Sequence, residues 1–200
     1  MNIDWTPPQP RGGKLGALDK FVGPGATIVE LALQFGVAAA LAAVMFVLAL
    51  RADYNWGIIQ YAVFLIFALD LVGGVITNAT SAAKRWYHRA GQGMVPHFGF
   101  VALHGVHLLI LALVFRSMDW TFFAAFYAYL LATAFILLIT PLYIQRALAM
   151  AFFCGAVVAA DLVFTPTPGM GWFIPLFFAK LLISHLTREA PFRPEHEVKP

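Results

Sequence analysis

The stretch GIIQYAVFLIFALDLVGGVITNATS, Gly57 to Ser81, decides the fold. At 1.5 Å per residue a helix of this length reaches about 37 Å, enough to cross the ~30 Å hydrocarbon core of a bilayer. Its one charged residue is Asp70. The run therefore reads as a transmembrane helix with one ionisable group to shelter from lipid. Further apolar runs lie on either side of it, at Ala26 to Leu50, Val95 to Phe115, Trp120 to Thr140, Ala147 to Thr165 and Met170 to Leu186. Together the six consume about 120 residues, too much of the chain to leave a separate extramembrane domain. The expected fold is all-α, a polytopic membrane helix bundle of six transmembrane helices with both termini cytoplasmic. Five spans is the alternative, if Pro141 only kinks one long helix. Gln145 and Arg146 beside it favour a turn at the membrane surface.

Composition agrees. Of 200 residues 61% are hydrophobic and only 12% charged, and mean hydropathy is +0.79, whereas soluble domains hold about a quarter charged residues. The layout reads as a cytoplasmic N-terminal segment at 1–25, the bundle at 26–187 and a short cytoplasmic tail at 188–200, disordered at its polar end. The N-terminal segment lacks the pattern of a cleaved signal peptide, so the first span is expected to stay in the mature chain. The net charge is +3. Lys and Arg cluster at residues 11–20, 84–89, 146 and 188–199, while the alternate loops hold only Arg51 or Arg116. That alternation sets the orientation, with the basic loops inside, and makes the basic residues topology signals rather than a nucleic-acid surface. Trp56, Trp86, Trp120 and Trp172 fall near predicted segment ends, at headgroup level. The sole cysteine, Cys154, excludes an internal disulfide framework or thiolate cluster.

The informative residues are polar ones inside apolar runs, because an ionisable group in the bilayer costs about 3 kcal/mol on insertion scales. On one continuous helix Gly74, Thr77, Ser81, Lys84 and His88 fall within about 40° of Asp70 on either side, with Gly73 and Asn78 flanking the stripe. The third run supplies His97, His104 and His107, the first two nearly in line and the last about 80° away. Asp70 and His104 fall at similar depth, about 10–15 Å inside the cytoplasmic boundary. Glu30 and Gln34 in the first run, and Lys180, Ser184 and His185 in the last, lie in the same half. A lone membrane histidine commonly just bonds a carbonyl, and Asp70 alone could be interhelical glue. Three histidines opposite a carboxylate point instead to a ligand or proton site. Near the boundary, Glu30 and His185 also read as solvated by headgroups, and His88 and His196 as surface residues.

These residues support three classes of function. The first is a buried His/carboxylate site binding a divalent metal (Zn, Fe or Mn) through His104, His107 and Asp70. A metal-bound water with Asp70 or Glu30 handling protons would make a membrane-embedded enzyme. Asn78, Thr77 and Lys180 would then meet a small or lipid-like substrate. A haem held by His97 and His185 is the lesser cofactor reading. The second class is a proton-coupled or small-solute transporter, although the outer half offers few polar groups for a continuous route. The third is an accessory or haem- or pigment-binding subunit of a larger membrane complex. Expected partners are membrane lipid, a small-molecule or lipid-like ligand and a homo-oligomer or larger membrane complex, with no nucleic acid. The expected location is the cell membrane, as a multi-pass protein.

Overall fold

The computed structural model describes residues 2–193. It is all-α except for a two-residue strand pair. In chain order the elements are β1 Asn2–Ile3, α1 Gly13–Val22, α2 Ile28–Ala52, α3 Ile58–Ala79, α4 Ser81–Tyr87, α5 Met94–Phe115, α6 Trp120–Ile139, α7 Leu142–Leu162, α8 Phe173–Leu186 and β2 Phe192–Arg193. Helices α2, α3, α5, α6 and α7 are 20 to 25 residues long and apolar enough to cross a membrane, which makes the chain a multi-pass membrane protein. Thr140 is extended and Pro141 precedes the first turn of α7, so this proline starts a helix and does not kink one. The last apolar run is shorter than expected: α8 spans Phe173–Leu186 and reaches only about 21 Å.

That length suits its place. Phe173, Phe177, Phe178, Leu181 and Leu182 of α8 are wholly buried, so α8 is the central rod and the longer helices enclose it. A helix apolar on all sides belongs in such a core. Because lipid is as apolar as leucine, tight packing replaces the hydrophobic effect in holding membrane helices together. Small residues serve this in α2, whose buried positions are Gln34, Ala38, Ala42 and Ala49.

Polar contacts fix which ends of the rods meet. Glu30 at the start of α2 accepts from Ala82 N of α4 (2.9 Å), and Lys84 of α4 donates to Thr187 O after α8 (2.5 Å). Gln145 at the start of α7 accepts from Arg188 N (2.9 Å), and β1 pairs antiparallel with β2. These segments form one end of the bundle, the basic end. At the opposite end Arg116 binds Asp119 (2.8 Å) and Thr165 O (2.8 Å). The expected tail is ordered through Arg193, because β2 pairs with β1 and Arg193 reaches Glu30 at 3.4 Å. Residues 194–200, with His196, lie outside the described residues.

The polar stripe expected to run unbroken from Asp70 to His88 stops at Thr80. This residue is extended, and its hydroxyl accepts from Ala83 N (3.4 Å), capping α4 as a new helix. Ser81, Lys84 and His88 therefore owe their positions to α4, not to the face of α3.

The N-terminal segment is closed by Arg11, which binds Asp19 through its backbone N (2.8 Å), Nε (3.0 Å) and Nη2 (2.6 Å). The Arg11 side chain first, and its backbone N–H second, hold the Asp19 carboxyl below its ordinary 3.8. A carboxyl that keeps its proton less tightly in the native state adds stability above the unfolded value and loses it as pH falls through the native one. Amide exchange of Gly13–Val22 should accordingly speed up as pH drops from about 5 to below 3, after correction for intrinsic rates. In Asp19→Asn that acid-dependent loss should vanish.

Candidate functional site

Three helices converge on Asp70 of α3. Lys180 of α8 donates to Asp70 Oδ2 at 2.6 Å, and His107 Nε2 of α5 donates to the same oxygen at 3.0 Å. Lys180 reaches it only because residue 74 is glycine: a Cβ there would stand 2.4 Å from Lys180 Cε. The ammonium is almost wholly buried, at 4% side-chain exposure, so the carboxylate is its counter-ion in the apolar interior.

Backbone geometry aligns the two deeper histidines. An α-helix offsets residues three apart by about 60°, whereas a 3₁₀ turn eclipses them. Helix α5 tightens at this point, with His104 N donating to Val101 O (3.1 Å) and His107 N to His104 O (3.0 Å). The rings of His104 and His107 consequently stack, with centroids 5.0 Å apart and planes at 8°. Gly105 between them accepts the Tyr127 ring, which would lie 2.3 Å from a Cβ.

Proton positions follow from the partners. His104 Nδ1 donates to Phe100 O (2.8 Å), leaving Nε2 with a lone pair. His107 uses its Nε2 proton on Asp70, and its Nδ1 is buried without a partner among the described residues. Asp70 Oδ1 takes no hydrogen bond among them either. The group is thus rich in unused lone pairs. One ligand atom each from Asp70, His104 and His107 lies within 4.8 Å of the others. Neutral imidazole and carboxylate donors suit Zn, Fe or Mn, and the His104 bond to a carbonyl is the kind of outer contact that orients a metal-binding imidazole.

Nearer the basic end lies a second imidazole cluster. Asn78 Nδ2 donates to Gly74 O (2.8 Å), which turns its Oδ1 toward His185 Nδ1 (3.1 Å). His185 Nδ1 must donate there, so His185 Nε2 accepts from His97 Nδ1 (3.2 Å). His88 stacks on His97 at 4.6 Å and its Nε2 donates to His185 O at 3.0 Å. Burial, then the neighbouring His97 and Lys84, push the His88 imidazole down to about 3, so it is neutral. Burial pushes Lys84 down to about 8. The Phe100 ring contacts both clusters, lying 4.1 Å from His185 and 4.5 Å from His104.

A cavity of about 530 Å3 adjoins the first cluster, lined among others by Gln34, Phe35 and Ala38 of α2, by Leu69, Asp70, Gly73, Gly74, Thr77 and Asn78 of α3, and by His104 and Lys180. This is the usual size of a small-molecule site, ~300–1,000 Å3. The remaining wall is mostly apolar.

The sequence-predicted residues thus divide. Asp70, His104, His107 and Lys180 meet, and Thr77 and Asn78 line the same cavity. His97 and His185 bind each other. Axial haem ligands stand on opposite sides of a flat macrocycle, whereas these nitrogens are within hydrogen-bond distance. His185 is not at a solvated boundary: its exposure is 3%, since α8 is central. His88, expected at the surface, is partly enclosed by its own cluster. Glu30 does not reach Asp70. It closes a capping box with Thr27 and binds Ala82 N and Arg193, a structural set in place of a proton-handling role. Sequence reasoning did not single out Phe100, whose part depends on packing, nor give Gln34 a role. The signal for Gln34 was an amide one turn from Glu30 in an otherwise apolar run.

Removing one member of the Asp70–Lys180 pair strands the other. Asp70→Asn and Lys180→Met should each destabilise the bundle by about 2 kcal/mol, less than the ~3–5 of a fully buried pair because Asp70 opens on the cavity. The double variant should recover most of that loss in a thermal-unfolding cycle. Gly74→Ala should behave like Lys180→Met, through displacement of the lysine. No family model, curated protein or solved structure matches this chain.

Proposed function

We propose that this membrane protein binds a divalent metal ion at Asp70, His104 and His107, beside a cavity that admits a small or lipid-like ligand. The observation that carries the reading is the convergence of three ligand-type side chains, one ligand atom from each within 4.8 Å of the others, beside the cavity. A metal would take His107 Nε2 in place of its hydrogen bond to Asp70, with the ring proton moved to Nδ1, so that one cation holds a carboxylate oxygen and two imidazole nitrogens. Lys180 fits the proposal as the resident counter-charge of Asp70, in competition with the metal for Oδ2. The bound ion would supply Lewis acidity, with Asp70 and the imidazoles placed to hold protons near the cavity. The basic end is the cytoplasmic side in this reading, because it gathers the Lys- and Arg-rich segments.

Elemental analysis of protein purified without a polyhistidine tag should find Zn, Fe or Mn near one equivalent. Asp70→Ala and His104→Ala should lower occupancy at least tenfold, of the order expected for losing a ligand, while Lys180→Met keeps or raises it. Unchanged occupancy in both ligand variants rules the assignment out, and a Soret band in the absorption spectrum would select haem instead.

A further inference from the structure

The cavity carries information about its ligand that the metal assignment does not use. Gln34 is 3% exposed and lines the cavity. Its Nε2 faces Val22 O and Thr80 Oγ1, both at 3.4 Å. Val22 O can only accept, and the Thr80 hydroxyl gives its proton to Thr77 O at 2.8 Å. The amide nitrogen must therefore point at them, which fixes the orientation of the side chain and leaves Gln34 Oε1 buried with no partner among the described residues. A buried acceptor left unmet costs about 1–3 kcal/mol, so an occupant that donates a hydrogen bond gains by filling the place.

Two further open atoms are acceptors: Asp70 Oδ1 and His104 Nε2 have no hydrogen bonds among the described residues, and both residues line the cavity. The Thr77 hydroxyl, also on the wall, can give or take a proton. Lys180, the cation on the wall among the described residues, is already 2.6 Å from Asp70 Oδ2. An anionic head would face several acceptors and an ammonium already paired. An ammonium head would face a carboxylate already neutralised, beside the lysine that neutralises it. An uncharged donor meets neither obstacle.

The mouth identifies the rest of the ligand. Phe35 of α2 and Leu69 of α3 line the cavity and are 46% and 44% exposed. Leu69 lies about 15 Å from the Ala79 end of α3, inside the hydrocarbon layer and not at its surface. Ala38, Ala39 and Gly73 also line the cavity and carry little or no side chain to fill it. An acyl chain leaving past Phe35 and Leu69 enters lipid directly.

We propose that the cavity holds a lipid with an uncharged hydroxyl head, an acylglycerol or a long-chain alcohol, whose hydroxyl donates to Gln34 Oε1, with a second hydroxyl, where the head has one, donating to Asp70 Oδ1, and whose chain leaves past Phe35 and Leu69. This deepens the ligand part of the function proposed above and does not need the metal. Both π turns among the described residues border the site: Ala32–Val37 carries Gln34 and Phe35, and Ala179–Leu186 carries Lys180. Such turns recur at functional sites.

The test is displacement of a fluorescent monoacylglycerol from the full chain in nanodiscs, using monooleoylglycerol, oleyl alcohol, oleate and oleylamine as competitors with one common chain. The two hydroxyl lipids should compete at least tenfold better than oleate or oleylamine, about the worth of one well-placed hydrogen bond. Their order relative to each other tells acylglycerol from alcohol. Gln34→Leu should lower monooleoylglycerol affinity about tenfold and leave oleate unchanged. Gly73→Leu should block every competitor, since a Cβ at this position meets only Ala38 at 3.7 Å and a longer side chain grows into the cavity. Equal or better competition by oleate or oleylamine, or no displacement by any of the four, overturns the proposal whatever the variants do. Each measurement is made on chelator-treated and on zinc-loaded protein. Hydroxyl preference without zinc binding sinks only the metal assignment, and zinc binding without hydroxyl preference sinks only this one.

Discussion

A single carboxylate in oil organises the centre of this protein. Asp70 stands in the apolar run of α3, where its charge is tolerated only with a partner. That partner is Lys180, from the buried helix α8. The pair sets constraints on both sides. Residue 74 must be glycine for the lysine stem to pass, and α8 must sit deep enough for its ammonium to reach the carboxylate. His107 then binds the same oxygen, so the pair also fixes how α5 faces α3. Removal of the carboxylate would leave a buried ammonium and an idle imidazole, which is why the pair couples packing to chemistry.

The polar interior is unevenly satisfied. In the cluster near the basic end Asn78, His185 and His97 form a directed chain, and Lys84 is held by main-chain carbonyls. The cluster around Asp70 is open, with lone pairs on His104, His107, Asp70 and Gln34 that no described donor meets. Buried polar groups in folded proteins are ordinarily paired. Of the open atoms, Gln34 Oε1 and His107 Nδ1 are buried without a partner among the described residues, and the proposed occupants rest on that. Phe100, in contact with rings of both clusters, marks the border.

Irregular backbone produces the open cluster. A π turn in α2 carries Gln34, another in α8 carries Lys180, and a 3₁₀ tightening in α5 brings His104 and His107 into register. None of these departures is written in hydropathy. On ideal α-helical geometry Ser81, Lys84 and His88 continue the face of Asp70, an expectation that gives way at the Thr80 cap, while the tightening at His104 brings the expected His104–His107 pair into stacking contact.

The sequence by itself determined the class of fold and singled out Asp70, His104, His107 and Lys180, which meet in the structure. Long runs with one or two charges have no stable alternative to helices in a bilayer, and a carboxylate with several imidazoles in such runs must turn inward, because the cost of exposing them to lipid depends on residue type alone. Which imidazole meets Asp70, that Lys180 is its counter-ion, that Glu30 closes a helix end and that α8 is the short central rod were decided only in three dimensions. Those outcomes depend on where one helix lies against another to within an ångström or two, and packing that close is a property of the assembled bundle, not of any one of its runs.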